Sequence, residues 1–322
     1  MARDELAYMT AAETRLESGG KFADLRGLWA TTVTPFGPDG RVDADAVRAH
    51  TSFLVSSGVV RLVPGGNTGE FSSLTTDEVV AVTRATREAA PDAVVVTGVG
   101  GALPAALELT AEALAAGADG VMVHHPSHTH VSERGLEEYY RRIAAAADGR
   151  VLAYKRTHRV PDSVLIALAR AGVVQGVKYA VNDLIAFQRA REAAPEIEWI
   201  CGTAELWAPL FHLLGARGYT SGLVNAAPEL AVAMEAALHE GDVARAMELR
   251  ELARAFEELR AEDEAAKNVP AVRSAMALAG FAAGPPRPPL APLDEADERR
   301  VAAIWSAWTA HGVARVAETV AT

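Results

Sequence analysis

The groups in this 322-residue chain best placed to do chemistry are a lysine closing one apolar run, a tyrosine closing another and a glycine-rich turn upstream of both. Lys178 ends AGVVQGVK. Burying such a side chain disfavours the ammonium, lowers its pKa and frees the amine as a nucleophile. Amine attack on a ketone gives an iminium, an electron sink that acidifies the neighbouring carbon. The plainer alternative is a lysine that snorkels to a rim or pairs with an acid. Lysine is scarce here, however: Lys21, Lys155, Lys178 and Lys267 are the only ones among 31 basic residues, so a lysine inside an apolar segment calls for an explanation. Tyr154 precedes Lys155 and Arg156 at the end of RVLAY, and the turn reads Gly65-Gly66-Asn67-Thr68-Gly69-Glu70. Its backbone N–H groups can form a nest for a carboxylate, with the Thr68 hydroxyl as a further donor. It lacks the Gly-Lys-Ser/Thr of a nucleotide-binding loop.

Four histidines, His124, His125, His128 and His130, raise a zinc reading. Against it, only His158 and the lone Glu70 stand at other strand ends, and the first strand-like run has no His-x-His. The histidines are therefore expected to line a pocket or polarise substrate hydroxyls, and neither a metal nor a cofactor is expected.

The elements that must position these groups alternate regularly. Eight strand-like runs, LWATTV, VVRLV, AVVVTGV, DGVMVHH, RVLAY, VVQGVK, EWICG and RGYTSG, are separated by Ala/Glu/Arg-rich helical stretches from 44–56 to 228–239. Eight such repeats with continuous apolar strands predict a closed (β/α)₈ barrel of the α/β class over 27–240. Its site belongs at the carboxyl ends of the strands. Strand alternation sends Lys155 to the face opposite Tyr154, so the expected partner of the phenol is the iminium itself or a hydroxyl such as Thr68. Thr75 or Thr76 caps the second helix, with Glu78 near a capping-box position, and Gly117 and Gly215 mark helix ends. Three further helices, 242–265, 270–279 and 294–310, form a C-terminal extension (241–322), with GPPRPPLAPL (284–293) as an extended strap. Residues 1–26 are expected to be an N-terminal arm or a small extra helix.

The formal net charge of −11 argues against nucleic acid or an anionic membrane as partner and leaves a small-molecule substrate. Cys201 is alone, which excludes an intrachain disulfide. The opening MARDELAYMTAAETRLESGG has no signal-peptide core, and no stretch reaches the ~20 apolar residues of a membrane helix. A cytoplasmic protein is expected.

Taken in order, TPF (34–36), TGE (68–70), the tyrosine opening AYKR (Tyr154) and GVK (176–178) resemble the dihydrodipicolinate synthase / N-acetylneuraminate lyase superfamily of Schiff-base barrels, over about 28–293. GEFSSLT (69–75), YTSGLVNAAPEL (219–230) and the proline-rich strap look closest to 5-dehydro-4-deoxyglucarate dehydratases. The resemblance implies that Lys178 forms the imine, that the Tyr154 phenol shuttles protons, and that Thr68 and its neighbouring amides bind a 2-oxo acid carboxylate. Arg156 or Arg159 would hold a distal carboxylate. Gly66, Asn67, Gly69, Glu70, His128, Gly202 and Asn225 complete the expected substrate-binding set. The departures are Lys178-Tyr179-Ala180 where the dehydratase branch has Lys-Asp-Gly, Tyr154-Lys155 where it has Tyr-Asn, and Asn67 where the synthases carry a threonine. The tyrosine that synthases carry after the fourth strand is displaced by Ser127 or His128. The expected activity is a lyase reaction on a 2-oxo (sugar) acid, dehydration first, with a pyruvate-dependent aldolase or synthase second. A metal-dependent barrel hydrolase and a non-catalytic ligand-binding barrel are the readings from other classes. The family also implies a homodimer or homotetramer.

Overall fold

A computed structural model describes residues 20–126 and 128–317. Eight parallel strands, β1 (Gly27–Thr31), β2 (Arg61–Val63), β3 (Val94–Val99), β4 (Gly120–Val123), β5 (Val151–Lys155), β6 (Gly176–Tyr179), β7 (Glu198–Cys201) and β8 (Gly218–Ser221), close into a barrel in sequence order. The helices that follow them are α1 (Ala44–Ser56), α2 (Thr76–Ala89), α3 (Leu103–Ala115), α4 (Glu133–Ala146), α5 (Asp162–Arg170), α6 (Leu184–Ala193), α7 (Ala208–Leu213) and α8 (Pro228–Glu240). The (β/α)₈ barrel predicted from the alternation is the one found. Closure runs through Gly27 opposite Gly218, where a β-carbon on Gly218 would overlap the Gly27 carbonyl.

Strand periodicity decides which side chains meet inside. Trp29, Val63, Val96, Met122, Leu152, Tyr154 and Ile200 fill the barrel. Their neighbours point outward: Tyr179 packs against Phe187, Trp199 and Phe211 beneath the helices. Helix ends follow local chemistry. Thr75 forms a full capping box with Glu78, and Gly117 and Gly215 take the left-handed conformation as their helices turn back into strands.

The amino end of the barrel is plugged. Residues 1–19 of the expected arm lie outside the described residues, but Gly20–Ala23 is a 3₁₀ turn that drives Phe22 and Leu25 into the barrel floor. Room for them comes from Gly120 and Gly176, which open β4 and β6; a β-carbon there would meet the Phe22 ring or the Leu25 side chain. The carboxyl end stays open for a site.

Beyond Gly241 come α9 (Val243–Ala265), α10 (Asn268–Leu278) and α11 (Glu295–Ala310). Phe256, Trp305 and Trp308 knit α9 to α11. The regular part of α9 ends earlier than its limits suggest. Glu262 is extended, and Asp263, Glu264 and Ala265 are left-handed (φ 53, 56 and 67). The chain therefore turns sharply and brings the start of α10 back over the barrel mouth. Lys267 and Arg300 staple the turn through Glu262 and Asp297. The strap then returns across the mouth, where Arg287 bridges Glu78 and the Gly40 carbonyl over the Phe36 ring.

Candidate active site

Lys178 stands at the end of β6, 4% exposed inside the barrel. Burial lowers its pKa to about 7, and the Arg156 and Arg260 charges push the same way. Its Nζ lies 4.5 Å from the centre of the Tyr154 ring on the adjacent strand, in register with it. Burial pushes the Tyr154 phenol up to about 12, so it is protonated at neutral pH. The sequence pointed to the iminium or to Thr68 as its partner. The structure supplies Asn67, whose Nδ2 donates to the phenol oxygen at 2.9 Å. With that oxygen already accepting, the phenol proton is the group left to donate.

Lys155, the rival lysine, faces the other way. Its Nζ donates to Asp162 (2.6 Å) and to the Val160 carbonyl (2.9 Å) between the barrel and α5. Both lysines end strands, and a one-residue offset places them in different compartments.

Asn67, Thr68, Glu70, Tyr154, Arg156, Lys178 and Gly202 all border one cavity of about 420 Å³ at the barrel mouth. The turn after β2 is folded by bonds from the Glu70 amide to the Asn67 carbonyl and from the Phe71 amide to the Gly66 carbonyl. The Thr68 and Gly69 amides donate to no described residue. Gly66 and Gly69 serve the turn's packing rather than the cavity: β-carbons there would strike Thr31 and the Thr32 carbonyl.

Several other expected site residues serve the fold or lie outside the cavity. Glu70 borders the cavity, but its carboxylate is spent on Arg273 of α10 (2.5 and 2.9 Å) and on the Arg287 amide (2.9 Å). Both side chains of that pair are almost fully buried, and Glu70 is left-handed (φ 60). It ties the turn to the C-terminal helices. Arg273→Met is expected to cost about 3–5 kcal/mol by stranding a buried carboxylate; a urea midpoint equal to wild type would reject this account. Asn225 also holds backbone, its amide joining the Val33 N–H with the Thr31 and Gly222 carbonyls. Arg159 is exposed and does not border the cavity, because the loop after β5 carries it outward; Arg156 does border it.

The histidines separate as the chain leaves the barrel after β4. His124 is buried, stacked on Phe71 at 4.3 Å with its Nε2 against the Gly65 carbonyl. Burial lowers its pKa to about 4, which keeps it neutral. It walls an adjoining chamber of about 370 Å³ together with His125 and Arg156. His128 and His130 are exposed and line a separate surface hollow, so His128 is not a cavity residue. Among the described residues no three His, Cys, Asp or Glu side chains converge as a metal site would require.

Sequence reasoning missed Ser221, Glu205, Glu257, Arg260 and Asn268. Ser221 ends β8 and could have been found by reading every strand end. Its hydroxyl bonds the buried carboxyl of Glu205, which burial and the nearby Glu257 charge push up to about 8. Glu257, Arg260 and Asn268 border the cavity from the C-terminal helices, where they read as ordinary helix-surface residues.

The Dihydrodipicolinate synthetase family model matches residues 24–308, and the chain belongs to that family. It is a lyase of a group whose members work through a lysine Schiff base. It is 36% identical over 241 residues to a probable 5-dehydro-4-deoxyglucarate dehydratase of Streptomyces coelicolor, covering 71% of this chain and 76% of the relative. It is 32% identical over 271 residues to a 4-hydroxy-tetrahydrodipicolinate synthase of Methanothrix thermoacetophila, covering 82% and 90%. The solved dihydrodipicolinate synthase of Bacillus clausii superposes with a TM-score of 0.86 at 38% identity over 89% of this chain and 99% of that one. No helix among the described residues is long and apolar enough to cross a membrane.

Proposed function

We propose that the chain dehydrates a 2-oxo (sugar) acid held as a Schiff base on Lys178, a reaction of the 5-dehydro-4-deoxyglucarate dehydratase type. The observation that carries this reading is the buried Lys178 amine, its pKa brought to about 7, facing a protonated phenol inside one cavity. Nζ attacks the 2-oxo carbon, and the carbonyl oxygen leaves as water with a proton from Tyr154. The Tyr154 phenolate left by that step takes a proton from C3 to give an enamine, and the restored phenol protonates the β-hydroxyl, which the enamine expels as a second water. Hydrolysis of the imine then releases product and restores the amine. Thr68 and the free amides of its turn supply donors for the substrate carboxylate, and Arg156 lies at the cavity rim for a distal one.

Asn67 favours dehydration over condensation. A hydroxyl at that position could pass a proton on from the tyrosine, whereas a carboxamide that donates to the phenol oxygen holds it as a terminal donor. Relatives named as synthases keep a pyruvate-condensing reaction as the second reading. We further propose that the chain works as a homodimer or homotetramer, a reading supported by Ile185 on α6 and Leu213 on α7, large apolar side chains left exposed on neighbouring barrel helices.

Borohydride reduction with a panel of 2-oxo acids, followed by peptide mass spectrometry, tests the reading. One adduct on the Lys178 peptide is expected, together with water loss from a hydroxylated 2-oxo acid. No adduct with any 2-oxo acid would reject the Schiff base. Adduct formation with aldol products alone would favour the second reading.

A further inference from the structure

The C-terminal helices send one cation into the cavity. Arg260, near the end of α9, borders the same space as Thr68 and Lys178, although its side chain is 6% exposed. Its Nη1 donates to Glu257 at 2.5 Å and its Nη2 to the Asn268 side chain at 2.9 Å. The left-handed turn at 263–265 is what returns Asn268 to that position. The Nε–H of Arg260 is buried with no partner among the described residues. A buried donor left unmet costs about 1–3 kcal/mol.

Gly222, just past β8, makes the approach possible. A β-carbon there would overlap Nη2 of Arg260 and lie 3.2 Å from the Thr68 hydroxyl oxygen. The guanidinium and the threonine thus converge on one point at the mouth. The backbone does not require glycine here, since φ −99 and ψ −30 suit any residue. A guanidinium that merely joined α9 to α10 would need neither the bare position nor the unmet donor.

We propose that Arg260 binds the C1 carboxylate of the 2-oxo acid, sharing it with Thr68 across Gly222; this rests on the Schiff-base reading of Lys178. The charges suit that occupant. Arg260 is balanced by Glu257, and Glu205 is largely neutral at pH 7, so a carboxylate meets no net negative charge from this cluster. The C1 carboxylate is also the substrate group that must lie nearest the imine, and Arg260 is close enough to help lower the Lys178 pKa.

The probe is pyruvate, whose only anion is its C1 carboxylate, trapped by borohydride beside hydroxyacetone, a ketone with no carboxylate. At a pH well above 7, where Lys178 is free amine with or without the Arg260 charge, Arg260→Met is expected to raise the pyruvate concentration for half-trapping roughly 10–100-fold, the range of a charged hydrogen bond, and to leave hydroxyacetone trapping unchanged. Because that variant strands Glu257, Gly222→Ala gives an independent test with one added methyl. It should weaken pyruvate trapping about tenfold or more by displacing the guanidinium, and should add nothing in the Arg260→Met background. Unchanged pyruvate trapping in Gly222→Ala or in folded Arg260→Met overturns the proposal. So does a loss confined to dicarboxylic 2-oxo acids, which would move the guanidinium to the distal anion. Failure of wild type to trap either ketone would instead sink the Schiff-base reading on which the proposal stands.

Discussion

Lys178→Ala is expected to abolish reductive trapping and turnover together, while Lys155→Met keeps both. An ordinary lysine with its pKa near 10.5 is free amine in only about 1 molecule in 3,000 at pH 7. At a pKa of about 7, Lys178 is half free amine at the same pH. Wild-type trapping should therefore rise as pH increases through about 7 and level off above it, because only the unprotonated form attacks. Lys155 cannot take that role, since its Nζ donates to Asp162 and the Val160 carbonyl outside the barrel. Removing it should cost about 1–3 kcal/mol of stability. The cost falls short of a fully buried pair because Asp162 keeps some access to water (26%). A Lys178→Ala protein that still gives a borohydride adduct, or a folded Lys155→Met protein that gives none, would reverse the assignment.

The choice between the two lysines shows what could be read without coordinates. Period-two alternation separates residues 154 and 155 whatever the tertiary detail, and the eight-fold strand rhythm dictates the barrel. The strand-end rule then leads to Tyr154 and Lys178, which the structure brings together. It fails for side chains that serve backbone. Glu70 and Asn225 sit where the rule looks, but their polar atoms bind an arginine and main-chain groups. It fails again for Arg260, which borders the cavity from α9 outside the barrel, and for Asn268, which reaches it because a stapled left-handed turn redirects the chain; no glycine marks that turn, and Asp263-Glu264-Ala265 reads as helix. The histidine run looked like one feature. Local direction divides it, with His124 continuing the inward strand pattern and His128 lying past Pro126, outside the mouth.

Tyr154→Phe is expected to preserve the fold and slow turnover by roughly 10²–10⁴-fold, the range for one positioned acid or base. The ring makes an edge contact with His124 at 5.5 Å and borders Lys178 at 4.5 Å, contacts that phenylalanine retains. What is lost is the hydroxyl and its bond from Asn67, worth about 0.5–1.5 kcal/mol in stability. A merely structural hydroxyl would show that small stability loss with near-normal turnover. Catalysis has a specific use for the proton. Forming the iminium expels the carbonyl oxygen as water, and hydroxide is a poor leaving group unless a donor stands beside it. With its pKa near 12 the phenol carries its proton throughout the neutral range, and its oxygen already accepts from Asn67. Borohydride trapping should therefore slow along with turnover, while the final extent of trapping at saturating 2-oxo acid stays near one adduct per chain. Asn67→Ala should have a smaller effect in the same direction, since it frees the phenol to rotate without removing its proton. If Tyr154→Phe turns over at close to the wild-type rate, the proton must come from another group, and Lys178 remains the nucleophile without the tyrosine as its partner.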